Sequence, residues 1–182
     1  QHGQLNNFAK IKDIVAKEKM ETNVLLVCSG DIFSGNPVVD NHPEKGFPMI
    51  DLMNKTGFDI SVIGNHEFDY GTGFLKRYID SFSQKFRHPF ISGNLDFSAN
   101  SDLSPISRKS EPILRGSYTG KKVGETYIHR DYASGALFGI VSAVTPLLRT
   151  ISSPGTTKLT TTDIPGTAAL INKQVAALEA RG

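Results

Sequence analysis

The sequence predicts an α/β domain with a largely parallel sheet. Two observations carry this. Three apolar runs of strand length, NVLLVCSG (23–30), DISVIG (59–64) and HPFISGNL (88–95), are apolar at consecutive positions. Such runs suit strands covered on both faces, as parallel sheets are. Segments with helical periodicity lie between them, and strands alternating with helices argue for parallel order.

The elements follow in order. Leu5, Phe8, Ile11, Ile14 and Val15 recur at helical spacing with lysines between them, which predicts an amphipathic helix over 4–18. The run 23–30 is the first strand, closed by Ser-Gly. Residues 30–46 are rich in Gly, Pro, Asn and Asp and read as a loop. Pro48 fits the first turn of a helix that continues to about Lys55. The run 59–64 is the second strand. Residues 71–82 form a helix with Phe74, Leu75, Tyr78 and Phe82 on one side, and 88–95 is the third strand. By composition 98–112 is a surface loop. Residues 126–146 read as strand, turn, strand, with a strongly apolar stretch from Ala136 to Val144. The last segment, 161–182, is a helix with Asp163 as N-cap, Pro165 in the first turn and Gly182 past the last turn.

Composition narrows the function. A chain of 182 residues can bury a real core. Its 20 basic and 18 acidic residues are mixed along the chain, with no Lys/Arg block, so the footprint of a nucleic-acid binder is lacking. Cys28 is the single cysteine, which excludes an internal disulfide framework; within VLLVC it reads as a buried, inert thiol. Sparse cysteine fits the cytosol or a bacterial periplasm equally. No stretch approaches the roughly 20 apolar residues of a membrane span.

Chemistry concentrates at two strand ends. Ser-Gly-Asp (29–31) follows the first strand and Gly-Asn-His-Glu (64–67) follows the second. Ligands of parallel α/β sheets bind at loops leaving the C-terminal strand ends, so Asp31 and Asn65–His66 are expected to converge in space. Together they offer carboxylate, amide and imidazole, a mixed set that divalent ions accept. Neither cluster contains cysteine, which argues against a structural zinc site. His42 and His88 read as exposed, His129 as cross-strand packing, and Asn94 as a residue that could approach the site.

The blocks GDIFSGNP (30–37) and GNHEFDYG (64–71) resemble the second and third signature blocks of calcineurin-like metallophosphoesterases. In detail they resemble the secreted 5′-nucleotidase branch, which includes UDP-sugar hydrolases and cyclic-nucleotide phosphodiesterases. The opening QHGQL matches the end of that branch's first block, Asp-x-His-Gly, at His2-Gly3, with the Asp falling one position before Gln1. PFISGNLDF and LFGIVSAVTPLLRTISSPG also look like strands of this family.

The resemblance implies a layered sandwich fold and a site for two divalent ions, zinc, manganese or cobalt. It implies that His2 ligates the first ion, that Asp31 bridges both, and that Asn65 ligates the second beside the phosphate. His66 would protonate the leaving group or stabilise transition-state charge, with Asp69 orienting its ring. Glu67 would be structural, holding the loop. Substrates would be small nucleotides or related phosphate esters, handled outside the cytoplasm or in a periplasm. The family's later histidine blocks and its C-terminal substrate domain have no counterpart here, since no His follows Arg130. Residues 1–182 are therefore expected to be part of a catalytic domain, inactive alone. The rivals are a related esterase acting on a cyclic phosphodiester or a sulfur compound, and a non-catalytic module that keeps the fold.

Overall fold

The apolar runs pair side by side, in parallel. The computed structural model describes residues 5–81, 89–108, 112–114, 123–152, 160–161 and 163–182. Within these, the strands are β1 (Val27–Cys28), β2 (Ile60–Val62), β3 (Phe90–Ile91), β4 (Leu95–Asp96), β5 (Ser107–Arg108), β6 (Ile113–Leu114), β7 (Val123–Gly124), β8 (Tyr127–Arg130), β9 (Leu137–Ile140) and β10 (Thr160–Thr161). The main sheet has the order β1-β2-β3-β7-β5, and each of its pairings is parallel. A second sheet, β6-β8-β9, pairs β6 with β8 in parallel and β8 with β9 antiparallel. β4 and β10 form an antiparallel ribbon.

The strands are shorter than the apolar runs. The pairing nevertheless reaches past them, because Asp59 N–H donates to Leu26 O at 2.9 Å and Ile63 N–H to Ile91 O at 3.0 Å. Ile60, Ile63 and Ile91 are fully buried, as consecutive apolar positions require.

The helices cover the main sheet. α1 (Asn7–Glu21) begins and ends three residues later than the sequence predicts. Nothing in Lys17–Glu21 breaks a helix, and it stops only at extended Thr22. Phe8 and Val15 face the core, and Phe8 meets Phe58 edge to face at 6.3 Å, whereas Ile14 points outward. The loop expected over 30–46 contains a short helix, α2 (Pro37–Asp40). The signal was present: Asn36 caps it by accepting from Val38 N–H at 2.9 Å, and Pro37 occupies the first helical position. α3 (Phe47–Thr56) buries Met49, Ile50 and Met53 and ends at left-handed Gly57. α4 (Thr72–Ser81) buries Leu75 and Tyr78; Phe82 lies outside the described residues.

The second half departs further from expectation. The predicted loop 98–112 folds back at Asn100, whose side chain accepts from the N–H groups of Asp102 and Leu103, and then supplies β5. The strand-turn-strand appears as β8 and β9, with buried His129 opposite Phe138, as cross-strand packing requires. The apolar stretch to Val144 stops being strand at Ile140, and the chain beyond it bonds the loop after β3. Ser142 Oγ accepts from Gly93 N–H at 3.0 Å, and Val144 N–H and C=O both bond the Asn94 side chain at 2.8 Å. A short helix, α5 (Leu148–Ile151), follows, and then α6 (Ile164–Glu179), capped by Asp163 as predicted. α6 is seated by Gln174, whose Nε2 donates to Gly93 O at 2.9 Å. At β9 the missing side chain of Gly139 admits Leu178 of α6.

Asn94 thus closes two backbone groups 50 residues away and acts as a clamp. Asn94→Ala would leave a buried N–H and C=O unpaired, at about 1–3 kcal/mol each. We expect it to lower the stability measured by urea unfolding by at least about 2 kcal/mol.

Candidate functional site

Adjacent parallel strands deliver their C-terminal loops to the same rim. The loop after β1 is Ser29–Ser34 and the loop after β2 is Gly64–Asp69, whose His66–Phe68 form a single 3-10 turn. Both loops are bracketed by buried apolar side chains: Ile32 and Phe33 on one, Ile63 and Phe68 on the other, all fully buried. Phe33 joins an aromatic cluster with Tyr78 (4.8 Å) and Phe90 (6.4 Å). Burying each such side chain contributes about 1.5–3 kcal/mol, so the loops are held by the core while their polar residues stay at the rim.

The two loops touch through glycine. Gly30 lies at φ +93°, and a Cβ there would come within 2.7 Å of Gly64 N. A Cβ on Gly64 would collide with the Asp31 carboxylate. Only unsubstituted backbone permits this approach.

Glu67 fastens the contact. Its carboxylate is completely buried and accepts three backbone N–H groups: Gly64 at 2.6 Å, Ile32 at 2.6 Å and Asp31 at 2.9 Å. Burial pushes the Glu67 carboxyl above its ordinary range; the three N–H donors pull the other way, and the nearby Asp31 charge adds to the rise.

Asp31 adopts φ +58°, the one left-handed non-glycine residue described. Such a conformation costs about 1–3 kcal/mol and persists only where surroundings impose it. Here Glu67 holds the Asp31 N–H, while Asp31 Oδ1 accepts the His66 N–H at 3.0 Å. This bond joins the two sequence motifs directly. Asn65 precedes the 3-10 turn, and its carbonyl accepts the Ser152 hydroxyl at 2.6 Å from 87 residues away.

His66 Nδ1 lies 2.6 Å from Asp69 Oδ2, three residues on in the same turn. Both side chains are about one-third exposed or less. A carboxylate at Nδ1 fixes the proton there and leaves Nε2 as the working nitrogen. Burial disfavours the charged ring, but the hydrogen bond and charge of Asp69, with Asp31 and Glu67 behind it, outweigh burial and hold the imidazole above its ordinary value. The Ser34 hydroxyl also donates to Asp69 Oδ2 and sits 3.3 Å from His66 Nδ1.

Asp31, Asn65, His66 and Asp69 therefore share one rim. His2 and His88 lie outside the described residues. His42 bonds Glu44 in its own turn, and His129 packs between β8 and β9. Sequence reasoning missed Ser34 and Ser152. Nothing local marks either, because each acts on a partner more than 30 residues away. Among the described residues no group of three or more His, Cys, Asp and Glu side chains is arranged to hold an ion. The donors that are described still suit a divalent metal. Asp31 supplies a carboxylate turned by its left-handed backbone over side-chain-free Gly64, and Asn65 is by residue type an amide that such ions accept.

Comparison with known proteins shows the family. A family model described as calcineurin-like phosphoesterase matches residues 1–134. A 5′-nucleotidase of Rattus norvegicus is 33% identical over 150 residues, covering 82% of this chain and 22% of that protein. A 2′,3′-cyclic-nucleotide 2′-phosphodiesterase/3′-nucleotidase of Haemophilus influenzae is 30% identical over 95 residues, covering 48% of this chain and 14% of that protein. The crystal structure of a 5′-nucleotidase precursor from Thermus thermophilus superposes with a TM-score of 0.70 at 26% identity, covering 99% of this chain and 30% of that one. The chain thus spans less than a third of the length of these relatives.

The Glu67 contact makes a direct prediction. Glu67→Gln turns an amide N–H₂ toward backbone donors that need an acceptor. It should lower stability by about 1–3 kcal/mol, read as a fall in Tm. Glu67→Ala, which orphans three backbone N–H groups, should cost more and release the loops to proteolysis.

Proposed function

The chain belongs to the calcineurin-like phosphoesterases, and from that premise we propose that its rim is part of a metal-dependent active site that hydrolyses phosphate esters of nucleotides, 5′-nucleotides first. The observation that supports the reading is the hydrogen bond from the His66 backbone N–H to Asp31 Oδ1, which holds a carboxylate against the residue that carries the imidazole.

In this reading Asp31 and Asn65 hold divalent metal, with His2 as a further ligand. Two ions, zinc, manganese or cobalt, fit the mixed oxygen and nitrogen donors. When bound, the ions supply an activated hydroxide and neutralise the phosphoryl oxygens. The chain's own residues do the rest. Asn65 and His66 border the phosphate. His66 gives its Nε2 proton to the ester oxygen as the P–O bond breaks and that bond's electron pair leaves with the alcohol. Asp69 keeps the ring oriented through Nδ1, as carboxylates do for catalytic imidazoles elsewhere. General acid assistance of this kind is worth about 10²–10⁴ in rate.

Similarity to a 5′-nucleotidase over 82% of the chain supports nucleotide monoesters as substrates. The cyclic-nucleotide phosphodiesterase relative favours a cyclic nucleotide diester as the second choice. Residues 1–182 form part of one catalytic domain in this reading. Its address would be extracellular or periplasmic, in keeping with the precursor form of the Thermus neighbour. No described helix is long and apolar enough to cross a membrane.

Phosphate release from adenosine 5′-monophosphate by the intact protein tests the proposal. Dialysis against a chelator should abolish release, and added zinc, manganese or cobalt should restore it. His66→Gln should lower kcat by about 10²–10⁴ with the metal content kept, and Asp31→Ala should lose metal as well as rate. No release from any nucleotide ester at saturating divalent metal would overturn the reading.

A further inference from the structure

We infer that Ser34 is a positioning residue for the general acid: its hydroxyl holds the Asp69 carboxylate in the orientation that aims His66 at the leaving oxygen. The inference rests on the reading of His66 as proton donor.

Ser34 is a buried residue on the opposite loop from the pair it serves, 8% exposed. Its Oγ donates to Asp69 Oδ2, the same oxygen that bonds His66 Nδ1 at 2.6 Å, and it stands 3.3 Å from Nδ1 itself. The carboxylate oxygen is thus fixed by two donors from two loops. This matters because the terminal torsion of an aspartate is broad and roughly two-fold. With His66 as the sole donor, carboxylate and ring could swing together about their shared bond, and Nε2 would swing with them. A third point from a separate loop removes that freedom.

Ser34 can supply the point because its own backbone is held. Phe33 beside it is fully buried, Ile32 is bonded to Glu67, and Gly35 N–H donates to Asp40 Oδ1 at 3.3 Å. The hydroxyl reaches 35 residues along the chain, to Asp69. That distinguishes it from the usual role of a turn serine, which is to bond nearby backbone. A small hydroxyl also suits the place: alanine loses the donor, and threonine keeps it.

The test compares two leaving groups in the intact, metal-loaded protein. The alcohol of adenosine 5′-monophosphate must be protonated as it leaves, whereas p-nitrophenolate from p-nitrophenyl phosphate leaves without a proton. Ser34→Ala is expected to lower kcat on the nucleotide by about 10- to 100-fold, the usual cost of losing a partner that orients a site ligand. KM and bound metal, measured by elemental analysis, should stay at wild-type values. The rate on p-nitrophenyl phosphate should change far less, and Ser34→Thr should restore the nucleotide rate. The ratio of the two rates does not depend on how much protein is folded. In parallel, the low-field proton resonance of His66 Nδ1–H should shift in Ser34→Ala and return in Ser34→Thr. Equal losses on both substrates, or no loss, would overturn the inference. His66→Gln separates the levels. If it discriminates between the substrates and Ser34→Ala does not, only the role of Ser34 falls. If His66→Gln does not discriminate, the general-acid reading falls and the inference with it.

Discussion

The buried Glu67 carboxylate is the constraint on which the rim depends. Turns at the ends of neighbouring strands carry backbone N–H groups with no ladder partner, and once buried these must find an acceptor. Glu67 supplies one acceptor group for three of them, two on the β1 loop and one at Gly64 on its own. Taking a carboxylate out of water costs several kcal/mol, and charge-assisted bonds to three donors are what make it tolerable. Everything above this layer inherits its position: the left-handed turn at Asp31, the approach of Gly30 to Gly64, and the bond from His66 N–H to Asp31.

Above Glu67 the rim divides into local and distant parts. The His66–Asp69 pair is local, three residues apart in one 3-10 turn, so the turn itself sets its spacing. The supports of that turn are distant. Ser34 reaches Asp69 from the first loop, and Ser152 reaches the Asn65 carbonyl from beyond α5. Local geometry creates the pair, and long-range hydrogen bonds restrict its freedom. In the proposed reading both count, because proton transfer from the ring would depend on its angle to the leaving oxygen as well as on its presence.

The scaffold behind the rim uses the same device on a larger scale. Strands of two to four residues make a modest ladder, and polar side chains tie its segments together. Asn94 clamps Val144, Ser142 accepts from Gly93, and Gln174 seats α6 on Gly93. Each link spans 49 or more residues, so the loop after β3 ties the second half of the chain to the first. Only unbranched backbone fits at Gly93, where a Cβ would overlap the Ser142 carbonyl and the Gln174 amide.

The sequence alone determined the fold class, the order of the first three strands and helices, the cap of α6, and the two chemical turns. Those features are written in local periodicity, capping residues and apolar runs, which act over a few residues. The same patterning located Asp31, Asn65, His66 and Asp69 at strand ends, and parallel order then required them to meet. Tertiary structure decided the rest. It turned the end of an apolar run, Val141–Val144, into chain that bonds the loop after β3, made Asn94 a clamp, ended the strands early, and drew β5 out of an expected loop. It also recruited Ser34 and Ser152, residues that look like ordinary loop serines until the chain closes around them. Their roles depend on partners 35 and 87 positions away, and a hydrogen bond between residues so distant leaves no periodic trace in a single sequence.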